Sequence, residues 1–160
     1  MDDTQAQRTV TELVEKTRIC MVTTVDEHDH LTARPLTRQE GEFHGVLEFV
    51  VPRDGDLVAQ IHRRPEVGVA LQSSDGYVSL CGEASEITDR SRLQEHWGAA
   101  TEAFFPDGPE TATLVRVDCH HAEYWDSRGS SLAKVASFVR AAVSDDDRGP
   151  DLGESGTVRL

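Results

Sequence analysis

The most chemically distinctive stretch of the chain is a predicted strand in which an arginine precedes a proline. Arg34 and Pro35 lie within Leu31–Thr37, which we predict to be the first arm of a hairpin whose second arm covers residues 43–51. Proline has no backbone N–H to donate to a β-ladder, so it favours an edge strand or a bulge. A cation beside such a break can hold an anion, but these residues alone favour an edge strand protected against aggregation.

The arginines are concentrated near this strand, in a chain that is otherwise acidic. Five of the 16 basic residues are arginines between positions 34 and 64, whereas the whole chain has 29 acidic residues and a net charge of -13. Such a negative chain repels phosphate backbones, which argues against nucleic-acid binding. The local arginines could hold a small anion, or they could pair with neighbouring carboxylates such as those of Glu48 and Asp54.

Two histidine-containing stretches have the residue types of a metal site without its geometry. Residues 26–30 contain two histidines and three acids, but residues of one turn rarely converge on one ion. His120 and His121 are adjacent in a predicted strand and therefore face opposite sides of it. The three cysteines are widely spaced in strand-like segments, which predicts buried thiols rather than a zinc site or disulfides. We therefore predict no metal site, and the sequence also lacks phosphate-binding and nucleophile-elbow motifs.

Length and composition predict one domain of ordinary size. The chain has 160 residues, 38% of them hydrophobic, and no apolar run long enough to span a bilayer. The first ten residues are polar and acidic, unlike a secretory signal, so we expect a cytoplasmic location and no membrane partner. We predict a folded domain over residues 1–145 and an acidic tail over residues 146–160, whose apolar end could dock.

The order of elements predicts an antiparallel β protein. Helical spacing is found at residues 4–17, after a potential N-cap at Asp54, in a single helix after Asp89, and at residues 130–143. Strands are predicted at residues 19–25, in the two arms described above, and at residues 67–71, 77–88 and 113–125, with a bulge at Gly82. Because βαβ alternation is absent, the pattern favours an antiparallel barrel or sandwich with peripheral helices.

Six short motifs spread over nearly the whole chain have the order and spacing of a known family. They are TARPL at 32–36, GVLEFVV at 45–51, IHRRPEV at 61–67, YVSLCGEA at 77–84, FPDG at 105–108 and AEYWD at 122–126. Together they resemble the pyridoxamine 5′-phosphate oxidase-like superfamily, and most closely its general stress protein branch. The end of the chain, residues 152–160, also resembles the ending of that branch.

This resemblance implies a mainly β fold, a six-stranded antiparallel split β-barrel with peripheral helices, that binds FMN at the interface of a homodimer. Residues 34–36 would face the flavin and its ribityl phosphate, residues 49–51 would line the isoalloxazine edge with their backbone, and an aromatic side chain would approach the ring from the partner chain. The residues so implied are Arg34, Pro35, Leu36, Phe49, Val50, Val51 and Trp125. In such proteins the flavin carries the electron chemistry, which implies redox capacity toward an unknown substrate.

Three positions differ from the pattern of related sequences. Glu48 stands where a tryptophan is usual, Val51 where a threonine is usual, and Leu57 where a lysine would pair with the phosphate. Arg53 can substitute for that lysine because a guanidinium binds phosphate in a fork. A phosphate without charged partners loses most of its affinity, so a deazaflavin-binding or cofactor-free dimer that acts through binding is the alternative. The Arg-x-His pair of true oxidases is missing after Trp125, so we expect no pyridoxamine 5′-phosphate oxidase activity.

Overall fold

The fold is that of a computed structural model in which residues 3–127 and 154–160 are described. Four α-helices and a short 3-10 turn accompany seven strands within this part of the chain. The helices are α1 (Asp3–Glu15), α2 (Asp56–Arg63), α3 (Arg90–Glu95) and α4 (Ala99–Phe104), and the 3-10 turn is Pro109–Thr111. The strands are β1 (Ile19–Val25), β2 (Leu31–Thr37), β3 (Val46–Pro52), β4 (Glu66–Gln72), β5 (Gly76–Ile87), β6 (Ala112–Asp126) and β7 (Glu154–Arg159).

All seven strands belong to one antiparallel sheet that does not close. The order is β2-β1-β4-β5-β6-β3, and β7 pairs with the second half of β6 beyond the end of β3. The two outer strands meet at a single bridge between Arg38 and Phe49. The predicted mainly β split-barrel class is confirmed. The described residues contain seven strands rather than six because the end of the chain adds β7.

The predicted hairpin between β2 and β3 is wrong, because β2 pairs with β1 instead, with Met21 opposite Pro35. A short turn at residues 26–30 connects β1 directly to β2. The Asp26 carboxylate stabilises this turn by accepting hydrogen bonds from the backbone N–H groups of His28 and His30. The connection from β2 to β3 instead crosses between the two edges of the sheet. The prediction that the Pro35 strand lies at an edge is confirmed.

Helix boundaries depend on which polar group satisfies the first backbone N–H groups. Asp89 caps α3 as predicted, because its carboxylate accepts from the Ser91 N–H at 2.9 Å. The predicted cap at Asp54 is wrong, since Gly55 occupies that position and no side chain caps α2. The single helix expected after Asp89 is two helices, α3 and α4, separated at residues 96–98.

The barrel interior forms the main core, and α3 and α4 cover a smaller one. Phe49, Leu80 and Tyr124 are fully buried in the main core. In the smaller core, Trp97 packs against Phe105 with ring centroids 6.1 Å apart. Two of the three cysteines are buried as expected. The expectation was wrong for the third, Cys81, because alternation along β5 turns it to the exposed outer face.

Arg38 joins the end of α1 to the connection that follows β2. Its side chain is 5% exposed, and its guanidinium donates to the backbone carbonyls of Glu15 and Thr17 at 3.0 and 2.8 Å. It also donates to those of Gln39 and Gly41. A buried cation is thereby satisfied by backbone oxygens alone, two of them at a helix end where positive charge is favoured.

The end of the chain docks on the barrel. Val158 is 2% exposed in the main core, and the Gln7 side chain donates to the Arg159 carbonyl. The predicted domain boundary at residue 145 and the predicted helix at 130–143 lie outside the described residues. No helix within the described ranges is long and apolar enough to cross a membrane.

Candidate functional site

Arg34 of β2 is a half-buried cation with a fixed orientation. Its guanidinium donates to the Thr24 hydroxyl at 2.7 Å, the Thr32 hydroxyl at 3.0 Å and the Gln60 side-chain carbonyl at 2.9 Å. All three acceptors are neutral, and within the described part of the chain Arg34 forms no ion pair. Burial lowers the pKa of Arg34, and the Asp56 carboxylate opposes that shift from a distance. A desolvated charge without a contacting counter-ion is suited to an anionic ligand.

The cavity in front of this side chain, which we call the arginine cavity, is mixed in charge. It has a volume of about 320 Å³ and lies between the β1–β2 turn, β2 and α2. Its lining residues are Asp26, Glu27, His28, Thr32, Arg34, Asp56, Ala59, Gln60 and Arg63. Backbone N–H groups, that of His30 above all, lower the pKa of Asp26 and keep it ionised. The cavity therefore combines two guanidinium groups with three carboxylic acid side chains.

A second cavity, which we call the apolar cavity, lies where the edges of β2 and β3 face each other below α4. It has a volume of about 280 Å³, and its lining residues are Arg18, Pro35, Leu36, Thr37, Gln39, Val50, Pro52, Ala100, Thr101, Phe104 and Phe105. Phe104 is 77% exposed at its rim. Arg34 and Leu36 alternate along one face of β2, so they stand about 7 Å apart and the two cavities are neighbours along that strand.

The structure brings four of the predicted site residues together and separates the others. Pro35, Leu36 and Val50 line the apolar cavity and Arg34 lines its neighbour. Phe49 and Val51 are 0% and 1% exposed over the whole residue and lie in the main core, and Phe49 also forms a backbone bridge with Arg38. Arg53 lies at the end of β3, where it donates to the Ala112 carbonyl at 3.2 Å, and lines neither cavity.

Trp125 lies on a different surface, the outer apolar face, which consists of Ile19, Met21, Tyr77 and Trp125. These side chains are 63%, 42%, 49% and 36% exposed, and together with residues of β4 they line a shallow groove of about 730 Å³. The neighbouring aromatic, Tyr124, is the one that is buried. Because Met21 stands directly opposite Pro35, the outer apolar face reaches the rim of the apolar cavity.

Comparison with known proteins identifies the family. The family model described as pyridoxamine 5′-phosphate oxidase like matches residues 5–149. The chain belongs to the pyridoxamine 5′-phosphate oxidase-like family. None of the curated proteins compared with the chain matches it.

Several solved structures that are similar to this chain are described as general stress proteins. A protein assigned as general stress protein 26 from Jannaschia sp. CCS1 has a TM-score of 0.74 at 20% identity, covering 98% of this chain and 99% of that one. This likeness supports the fold. A protein described as the general stress FMN/FAD binding protein of Xanthomonas citri has a TM-score of 0.65 at 28% identity, covering 77% of this chain and 89% of that one. A general stress family protein from Xanthomonas campestris is 27% identical with a TM-score of 0.66, covering 79% and 90%.

In this member of the pyridoxamine 5′-phosphate oxidase-like family, sequence reasoning missed the contribution of α2. Asp56, Ala59, Gln60 and Arg63 line the arginine cavity, and the opposite side of α2 is buried. The signal was present, since these positions follow helical spacing on the side opposite the apolar residues. It was missed because a polar helix face is ordinarily solvated, and only the fold places it beside Arg34.

Proposed function

We propose that this protein binds FMN and acts as a flavin-dependent oxidoreductase. In this proposal the phosphate lies in the arginine cavity and the isoalloxazine ring lies in the apolar cavity. The observation that carries it is the oriented guanidinium of Arg34, which has no contacting carboxylate in the described structure and stands next to an apolar cavity along β2. The description of the Xanthomonas citri relative as an FMN/FAD binding protein supports the same cofactor.

Each part of the flavin has a matching group in this arrangement. The phosphate pairs with Arg34 and is within the same cavity as Arg63, whereas Arg53 is the alternative cation that the family pattern suggests. Pro35, Leu36 and Val50 give the ring an apolar contact surface. Of residues 49–51, Val50 is the one that is partly exposed and lines the apolar cavity, so it would face the ring.

The flavin would supply the electron transfer, and the chain would bind and orient it. Phe104 and Phe105 of the α4 region lie on the side of the apolar cavity opposite the strands, where they would exclude water from the ring. A ring enclosed between apolar side chains is shielded from competing reactions with solvent. No acid or base is assigned to a catalytic role.

Flavin titration tests the proposed orientation. We expect the fluorescence of FMN to be quenched when it binds the protein. Arg34→Ala should weaken FMN binding about tenfold to a hundredfold, which is the effect of losing a charge-assisted hydrogen bond. Riboflavin lacks the phosphate, so its affinity should be nearly unchanged in the same variant. Arg64→Ala is the matched control, because Arg64 pairs with Asp29 on the surface and lines neither cavity.

A comparison with Arg53→Ala decides which arginine contacts the phosphate. If Arg53→Ala selectively weakens FMN and Arg34→Ala does not, the phosphate lies at the end of β3 and our placement is wrong. Purified protein that is colourless and causes no change in FMN fluorescence would reject the flavin proposal as a whole.

We also propose that the protein is a homodimer formed through the outer apolar face. Monomeric proteins rarely expose a contiguous apolar patch of this kind, and interfaces favour aromatic anchors. Trp125 lines neither the arginine cavity nor the apolar cavity of its own chain. A two-fold axis through this face would allow Trp125 to reach the cavity rim of the partner.

The dimer proposal separates two roles of Trp125. We expect Trp125→Ala to weaken FMN binding more than it lowers the melting temperature of the cofactor-free protein. A purely structural role predicts the reverse. Met21→Glu, which places a charge in the same face, should convert the dimer to a monomer in light scattering. A wild-type monomer at micromolar concentration would rule out the shared site.

A deazaflavin-binding or cofactor-free dimer is the second candidate function, and two observations favour it. Asp26, Glu27 and Asp56 line the same cavity as Arg34 and would oppose a phosphate dianion. In addition, Val51 and Leu57 are 1% and 6% exposed in the main core and offer no polar group to a ligand. Tight FMN binding that depends on Arg34 or Arg53 would exclude this alternative.

A further inference from the structure

Glu48 of β3 is the centre of a half-buried charge cluster that the flavin proposal does not use. Its side chain is 14% exposed. One carboxylate oxygen accepts from Arg92 at 2.8 Å, and the other lies 2.7 Å from His96 Nε2. Both partners belong to α3 and its C-terminal cap. Glu48 therefore ties the outward face of β3 to the end of α3.

The connection continues into α4 through the backbone of His96. The His96 carbonyl accepts a hydrogen bond from the Thr101 hydroxyl at 2.9 Å. Thr101 lines the apolar cavity together with Ala100 and Phe104 of the same helix. We call this path from Glu48 through His96 to Thr101 the Glu48 tether.

α4 depends on such tethers because it has little packing of its own. It has only six residues, none of them buried, and its N-cap Gly98 provides no side-chain hydrogen bond. Isolated helices of this length are not stable in water. Its position over the apolar cavity must therefore come from neighbouring contacts, namely the Glu48 tether and the packing of Phe105 against Trp97.

The Glu48 carboxylate forms its hydrogen bonds with α3 and its C-terminal cap, and not with the neighbouring strand β6. Arg116 stands directly opposite Glu48 on β6, but its guanidinium is bound in a fork to Asp118 at 2.7 to 3.1 Å. That pairing raises the pKa of Arg116 and lowers that of Asp118. Arg92 and His96 are thus the side chains in hydrogen-bonding contact with Glu48 among the described residues.

We infer that Glu48 is a positioning residue that, through His96 and Thr101, sets the place of α4 over the apolar cavity and so controls ligand binding there. Its influence on flavin affinity rests on the proposed function, whereas its hold on α4 does not. Val50, two residues along the same face of β3, lines the cavity directly. The Cα atoms of Glu48 and Val50 are about 7 Å apart along the strand, and Glu48 does not line the apolar cavity, so it acts through α4 rather than by touching the ligand.

Hydrogen exchange of the cofactor-free protein tests the tether itself. Within α4, the amide of Glu102 donates to Gly98 and that of Phe105 donates to Thr101, at 2.9 and 3.0 Å. We expect Glu48→Ala to speed exchange of the peptide covering residues 99–105 about tenfold, in line with the loss of a charge-assisted hydrogen bond. Glu48→Gln keeps hydrogen-bonding groups for both partners and should restore most of the protection.

Glu86→Ala is a matched control for burial and chemistry. The Glu86 side chain is 15% exposed, pairs with His62 and accepts from Thr113, and both of these partners lie outside α3 and α4. We expect this variant to leave exchange at residues 99–105 unchanged. If Glu48→Ala does not fold, His96→Ala provides the test, because Arg92 still pairs with Glu48 in that variant.

FMN titration then separates the tether from the flavin proposal. If Glu48→Ala binds FMN about tenfold more weakly and Glu48→Gln restores the affinity, the result supports both the Glu48 tether and the flavin proposal. Faster exchange at residues 99–105 in a protein that does not bind FMN supports the tether and overturns the flavin proposal. Wild-type FMN affinity and wild-type exchange in both Glu48→Ala and His96→Ala overturn the tether while the flavin proposal stands.

Discussion

Replacing Gly82 by alanine is a direct test of how closely β5 and β6 approach at their bulge. The register between these strands shifts at Cys81 and Gly82. A Cβ at position 82 would lie 2.4 Å from the Asp118 carbonyl oxygen and 2.9 Å from the Cys119 Cα. Both obstacles are backbone atoms of the central strand β6, which cannot rotate away as a side chain does. We therefore expect a destabilisation of about 3 kcal/mol, at the upper end of the range for overpacking.

Urea unfolding of the cofactor-free protein measures this effect, and thermal unfolding should show a midpoint lower by roughly 6 to 12 °C. Gly68→Ala is the matched control in the neighbouring strand, where a new Cβ would only make an ordinary contact with Thr23 at 3.9 Å. We expect that variant to be neutral or more stable by up to about 1 kcal/mol. If Gly82→Ala unfolds within about 0.5 kcal/mol of the wild type, the close approach of the two strands is refuted.

Three further predictions concern stability. Burial raises the pKa of Cys20 from 9.0 to about 11 and that of Cys119 to about 12, so the thiols ionise earlier in the unfolded chain. Stability should therefore be retained below pH 9 and fall above it, up to about pH 11 for Cys20 and about pH 12 for Cys119, by up to about 1.4 kcal/mol per pH unit for each thiol. Urea midpoints that fall equally in the double alanine variant would contradict this. Gly156→Ala should lower the melting temperature by the equivalent of about 1 to 3 kcal/mol, because its Cβ would lie 2.8 Å from the Tyr124 hydroxyl. Asp89→Ala should cost about 1 kcal/mol through loss of the α3 cap, and Asp89→Asn should recover most of it in the same thermal assay.

The sequence was sufficient for most elements because their local signals agree with the fold. The proline in β2, the glycine at the β5 bulge and the aspartate before α3 each have one local role, and each has it in the structure. Strand partners were harder to predict. The polar connection after β2 resembles a hairpin turn, but the Asp26 turn makes the tighter pairing on the other side of β2.

The candidate site was only partly predictable because it depends on contacts between segments distant in sequence. Arg34 and Pro35 were identified from one strand and a family resemblance, and the structure places both at neighbouring cavities. The side chain of Gln60 that orients Arg34 is 26 residues away. The link from Glu48 to His96 spans 48 residues. Periodicity within a single element does not contain such pairings, and only the sheet order makes them visible.

Arg38 has a consequence for any mutational scan of this protein. It lines neither the arginine cavity nor the apolar cavity, but its four backbone contacts set where the end of β2 stands relative to β3. Because the apolar cavity is the gap between those two edges, a substitution at Arg38 would change the width of the gap without removing any group that touches a ligand. In a screen scored by loss of binding, Arg38 would be counted with the residues that contact the ligand. Only a separate measurement of stability would show that its effect comes from the positions of the β2 and β3 edges on either side of the cavity.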